Sequence, residues 1–316
     1  GPEIITLTNY RARYSTYKSD PDLQAAHASA PWIVTWDDHE VDNNYAADIG
    51  EDDQTPEQLL MRRAAAYQAF YEFMPIRLPV GRQGPDMPIY RRLRFGKLAE
   101  FNVLDTRQYR SDQACGDGRK QSCAEHLDSS RTLLGGAQKE WLYNGLATAD
   151  ATWNVLAQQM MVASLRSVGD GGEELWPMDL WDGYPFERQE LLNVLDQAAT
   201  PNPVVLSGDI HSNWAANLQL DFDNENSKVV GSEFVGTSIT SGGDGRDISD
   251  YGTALLDNNP HVKFYNAQRG YLCATLTPEL WKTDYKILPL VTQAGADISI
   301  RKTYITEAGN PGVQEA

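Results

Sequence analysis

A chain of 316 residues, 41% of them hydrophobic and with no apolar run long enough to span a bilayer, has the make-up of a soluble globular protein of one large domain or two ordinary ones. Its formal net charge of -17 argues against nucleic acid as a partner, which requires basic stripes. The same charge would repel a phosphate-bearing ligand unless bound cations reversed the local field. No signal peptide opens the sequence, which begins at Gly1-Pro2.

Taken in order, Asp20-Pro21 caps a helix over residues 20–28, and His27 on it is a packing or surface residue. Pro31-Trp32-Ile33-Val34-Thr35 reads as a buried strand running into Trp36-Asp37-Asp38-His39-Glu40. Two adjacent carboxylates repel unless a cation or strong donors sit between them. The functional reading is a metal site with a general acid. The structural reading is a helix cap at Asp37 or Asp38, with Glu40 as its capping-box partner. Glu51-Asp52-Asp53 is a solvated charge run. Thr55-Pro56-Glu57-Gln58 starts a helix that continues through an aromatic stripe (Tyr67, Phe70, Tyr71, Met74) to Pro75. A proline-rich surface loop follows over residues 75–88, including Pro79 and Gly81.

Residues 89–95 and 98–104 form a hairpin turning at Gly96-Lys97 and ending at Asp105-Thr106-Arg107. There Asp105 anchors Arg107 or Arg110, or an arginine contacts phosphate. Cys115 and Cys123 bracket a polar loop that reads as a disulfide or, alternatively, a pair of metal ligands; Cys273 reads as a buried free thiol. A helix over 136–149 precedes a strand over 152–159 that ends in the amides Gln158 and Gln159. Residues 176–186 read as an aromatic loop that either lines a site or covers the core, and 185–199 as a helix. Pro203-Val204-Val205-Leu206-Ser207 is another apolar strand, ending in Gly208-Asp209-Ile210-His211. In extended chain Asp209 and His211 would face one centre. Two such strand-end clusters are the composition of a shared metal site. Strands over 229–239, 271–277, 281–288 and 298–306 complete an α/β chain with a mixed sheet. The glycine loop at 241–245 has no following helix with Lys-Ser/Thr, which argues against a nucleotide P-loop.

With these residues in view, the chain resembles the PhoD-like alkaline phosphatases and phosphodiesterases, a branch of the calcineurin-like metallophosphoesterases. The likeness rests on residues 31–45, Leu104-Asp105-Thr106-Arg107-Gln108-Tyr109-Arg110, Leu206 to Trp214 and Glu233 to Thr240, and spans nearly the whole chain. It implies a metallophosphoesterase-type αββα sandwich with mixed sheets over residues 1–316, lacking its N-terminal strands and an N-terminal β-sandwich domain. It implies iron and calcium as cofactors. Asp38 stands at a metal-binding asparagine position, and Asp209 and His211 at the family's last ligand block. His39 stands at the position that assists the leaving group. Asp37, Gln158, Gln159 and Arg107 are further candidates for metal or phosphate contact. Ile210 replaces an arginine that reaches phosphate in some members. The blocks that supply the bridging carboxylate have no counterpart upstream of Asp37. The resemblance implies as substrate a small phosphate ester or a phospholipid headgroup, as partner the remaining N-terminal part in a separate chain, and as location an extracellular or periplasmic one. Alternatives are a phospholipase D-type phosphodiesterase, a non-catalytic calcium-binding module and an inert fragment.

Overall fold

In the computed structural model, which describes residues 2–51, 54–77 and 84–316, the chain divides into two units, Gly1–Tyr90 with Asp105–Asp112, and Arg91–Leu104 with Gln113–Ala316. Asp52, Asp53, Pro79 and Gly81, placed in loops above, lie outside the described residues.

The first unit is helical. Helix α1 (Leu7–Lys18) starts at Thr6, whose side chain accepts from Asn9 N–H in a reciprocal capping box. Helix α2 (Pro21–Ser29) starts at Asp20, as the sequence indicated, with its carboxylate accepting from Asp22 and Leu23 N–H. His27 on α2 stacks on Trp32 at 4.0 Å. Helix α3 (Pro56–Phe73) has the expected Thr55–Gln58 capping box and buries Leu59, Ala66, Tyr67 and Phe70, but Tyr71 faces outward.

The strand expected over 31–35 does not form: these residues join no sheet. Trp32 and Ile33 are exposed, and only Val34 and Trp36 enter the core. Trp36 lies flat on Tyr67, with ring centroids 3.9 Å apart and planes within 6°. Aromatic packing on α3 thus anchors this segment in the core of the first unit.

The second unit is built on a seven-stranded sheet. In chain order its elements are β1 (Arg91–Phe95), β2 (Ala99–Val103), β3 (Arg119–Lys120), α4 (Gly136–Ala147), β4 (Trp153–Ala157), β5 (Ser167–Val168), β6 (Glu174–Pro177), α5 (Pro185–Gln197), β7 (Pro203–Ser207), β8 (Asn213–Gln219), β9 (Val229–Val235), α6 (Asp250–Asn258), β10 (Val262–Asn266), β11 (Arg269–Leu276), β12 (Leu280–Leu288), β13 (Ser299–Glu307) and β14 (Asn310–Glu315). The main sheet runs β1-β2-β4-β7-β9-β8-β10. Its four central strands, β2, β4, β7 and β9, are mutually parallel, and the flanking pairs are antiparallel. Strands β11 to β14 form an antiparallel meander, and β3, β6 and β5 a small three-stranded sheet.

One face of the main sheet packs Leu156, Val205, Trp214 and Leu218 beneath α4, α5 and α6, through Leu142, Leu146, Leu191, Leu195 and Leu255. The other face packs Trp153, Val155, Val204 and Phe234 against Trp281, Tyr285 and Tyr304 of the meander. The meander's far face carries Lys282, Asp284 and Lys286, with Asp284 buried and paired to Lys282 at 3.0 Å. The layers of the second unit are thus helix, mixed sheet and antiparallel sheet.

Residues 176–186 hold the end of β6 and a 3-10 turn at Trp181–Gly183, and bury Trp181 and Tyr184 in the core. Cys115 and Cys123 form a disulfide, and Cys273 is free but only half-buried, on β11. A loop this short is worth about 2–3 kcal/mol in closure entropy. No helix among the described residues is long and apolar enough to cross a membrane.

Candidate active site

Within the first unit, the residues after Trp36 make a tight acidic turn. The backbone N–H groups of Val41 and Asp42 donate to the Asp38 carbonyl at 2.7 and 2.8 Å. Glu40 Oε2 accepts from Asp37 N–H at 2.7 Å, which is the reciprocal half of the capping arrangement. Asn44 N–H donates to Asp38 Oδ2 at 2.9 Å. Burial pushes the Glu40 carboxyl up to about 7, and the neighbouring Asp37 and Asp38 charges push the same way.

Arg107 holds this turn. Its side chain is fully buried; Nε donates to Asp37 Oδ1 at 2.6 Å, and Nη2 lies 3.7 Å from Asp38 Oδ1. One guanidinium thus offsets two adjacent carboxylates, the requirement stated for them above. Arg107 is in turn placed by Asp105, whose Oδ1 accepts from the backbone N–H of Arg107 and Gln108, both at 3.0 Å, in an Asx turn. Arg110 reaches the Asn44 and Tyr45 carbonyls at 2.7 and 3.2 Å. Arg107 is thus ion-paired with Asp37, a partner the sequence did not offer, where Asp105 was expected. His39 is exposed beside this turn.

Within the second unit, the carboxyl ends of β4, β7 and β9 share one sheet edge, where open α/β sheets bind ligands. Gly208 N–H donates to the Gln159 carbonyl at 2.8 Å, and Gly236 N–H to the Ser207 carbonyl at 2.9 Å, so the three strand ends are tied in register. Asp209 and His211 follow β7 on this edge, Asp209 half-buried and His211 exposed. The extended-chain argument for them fails, since both have left-handed backbone, with φ of 67° and 50°. The segment is a turn at the strand end, and non-glycine residues held there mark a stressed, over-determined loop.

Gln158 and Gln159 sit at the same edge, but both are buried. Gln158 donates to Ser207 Oγ at 2.8 Å and to the Met160 carbonyl, and accepts from Trp181 Nε1 at 3.1 Å. Protein groups thus take up its amide. Gln159 Nε2 donates to the Leu104 carbonyl at 3.2 Å.

Sequence reasoning missed Glu233. It is wholly buried in β9 and accepts from Val162 N–H, Ala163 N–H and Ser207 Oγ at 2.8, 2.7 and 2.7 Å. Burial pushes its carboxyl up to about 7 against those three hydrogen bonds. The available signal was a lone carboxylate inside the apolar run Val229 to Val235.

Chemically, the first unit offers the oxygens of Asp37 and Asp38, and the second offers a carboxylate and an imidazole on one turn. Hard oxygen donors of this kind suit calcium, and a mixed oxygen–imidazole set suits iron.

Comparison with known proteins gives a consistent result. The family model described as PhoD-like phosphatase matches residues 1–285. Alkaline phosphatase D of Bacillus subtilis (strain 168) is 50% identical over 313 residues, which make up 99% of this chain and 54% of that protein. The chain therefore spans about half the length of this curated relative. A solved structure described as "Structure of PhoD" superposes with a TM-score of 0.96 at 49% identity, over 100% of this chain and 60% of that one.

Proposed function

The chain belongs to the PhoD-like phosphatase family, and on that premise we propose that it carries out metal-dependent hydrolysis of phosphate monoesters and diesters. The observation that carries this reading is the family match over residues 1–285, which takes in both carboxylate-bearing turns. Asp38, Asp209 and His211 serve as metal ligands, with iron and calcium as the ions. A bound ion supplies Lewis-acid charge that offsets the phosphate and activates water for attack. Arg107 orients Asp37 and Asp38 and offsets their charge. Exposed His39 gives a proton to the leaving alkoxide, the general-acid role that imidazole side chains most often fill. The substrate is a small phosphate ester. The disulfide supports an oxidising compartment outside the cytosol.

The test is elemental analysis of the purified chain, paired with phosphodiester hydrolysis after iron and calcium are added. Stoichiometric metal with turnover supports the proposal. Calcium-dependent melting without turnover at any metal load would instead make the chain a binding module. His39→Ala is expected to slow an alkyl phosphodiester about a hundredfold. A nitrophenyl ester, whose leaving group needs no proton, should be nearly unaffected. Equal rates for parent and variant on the alkyl ester would remove His39 from the reaction.

A further inference from the structure

Arg269, the first residue of β11, is 5% exposed, and its partners among the described residues are all neutral oxygens. Nε donates to the Gly243 carbonyl at 2.9 Å. Nη1 donates to the His211 carbonyl at 2.5 Å and is shared with Thr237 Oγ1 at 3.1 Å and Ser238 Oγ at 3.0 Å. One guanidinium therefore joins three segments: the turn after β7, the segment after β9, and the glycine loop at 242–245. Keeping a buried cation without a carboxylate is expensive, and structure alone gives little return for it.

The return lies in the turn it touches. Asp209 and His211 occupy left-handed backbone, which L-residues with side chains adopt at a cost and only where the surroundings fix them. The His211 carbonyl is the far end of that turn. Behind Arg269, Asn213 Oδ1 accepts from Thr237 N–H at 3.2 Å, and Asn213 Nδ2 donates to Asn266 Oδ1 at 3.1 Å, so the segments it grips are themselves braced. A lysine would bring three donors on a flexible stem, but not a planar fork that spans two directions at once.

We infer that Arg269 is a positioning residue, which holds the turn from Gly208 to His211 in its left-handed form through the His211 carbonyl and so presets Asp209 and His211. This deepens the reading of those two residues as metal ligands and rests on it.

Hydrogen exchange of the intact chain without metal, followed by mass spectrometry over residues 207–212, tests the inference. The Gly208 and Ile210 amides, bonded to the Gln159 and Gly208 carbonyls, report the turn. In Arg269→Met they are expected to exchange about tenfold faster, with β12–β13 amides unchanged; Arg269→Lys should fall between. Titration with calcium alone should show affinity about tenfold weaker in Arg269→Met, as for loss of a supporting group around a metal ligand. If Arg269→Met fails to fold, the double variant Thr237→Val with Ser238→Ala removes two acceptors without stranding the charge, and should speed turn exchange severalfold. Unchanged exchange over 207–212 in the variant that folds, or an equal rise across β12–β13, would overturn the inference. If the parent binds no calcium, the ligand assignment fails, while the exchange result still decides the positioning role.

Discussion

Glu233→Ala is expected to destabilise the chain by about 3–5 kcal/mol, because it strands two buried backbone N–H groups and a serine hydroxyl that the carboxyl now satisfies. Glu233→Gln should cost less, since one amide oxygen still accepts, but it abolishes titration. That difference isolates a pH effect of known sign. The folded carboxyl is raised to about 7, above its ordinary 4.5, so the folded chain keeps a proton that the unfolded chain has released. The stability from this group is fully present below pH 4.5, is lost as pH rises towards 7, and is constant above. Over that window the parent should lose about 3 kcal/mol relative to Glu233→Gln. Denaturant unfolding of both proteins between pH 4.5 and 8 measures it. A difference that stays flat with pH would show that the three donors win over burial and that Glu233 is ionised throughout.

The second large effect concerns the turn after β7. Asp209→Asn and His211→Ala are each expected to strip tightly bound metal and to lower diester turnover about a thousandfold, the equivalent of about 4 kcal/mol in the barrier. Ligands of one centre act as a unit, so the double variant should be little worse than either single one. Elemental analysis beside turnover decides the matter. Parent-level metal with retained turnover in either variant, or losses that multiply in the double variant, would show that the two residues do not serve a common ion.

What could be read from sequence followed the range of the interaction. The Thr55–Gln58 capping box, the hairpin at Gly96 and the Cys115–Cys123 disulfide each lie within about ten residues, and each has local chemistry that specifies it. The partner of Arg107 could not be read that way. Asp37 is seventy residues distant in sequence, so no local pattern offered it beside Asp105, two residues away, which accepts from the Arg107 and Gln108 backbone N–H groups. Helix α1 was missed because it buries only Tyr10 and so shows no apolar period, leaving its Thr6 cap as the one cue. The expected strand before Asp37 had the right composition, but composition does not say whether a neighbouring strand or a helix takes up the aromatic face. The Asp209 and His211 pair was proposed from residue type, and the extended geometry assumed for it was wrong, since nothing in Gly-Asp-Ile-His announces positive φ at two non-glycine positions.

The strand order also has a kinetic consequence. In the main sheet β2 pairs with β4 (Ala99 with Trp153), and β4 with β7 (Asn154 with Pro203), so these two parallel ladders must each close a loop of about fifty residues before the first bond repays the entropy. In the meander, β11 meets β12 across a short turn, as β13 meets β14. The meander is therefore expected to gain protection ahead of the main sheet during refolding. Its apolar face of Trp281, Tyr285 and Tyr304 then offers the distant strands a surface on which to collapse. Pulse-labelled exchange would show β11–β12 amides protected before those of β4 and β7, and the reverse order would refute this. The edge that carries Asp209 and His211 is thus among the last parts of the chain to take shape, and the most dependent on everything assembled before it.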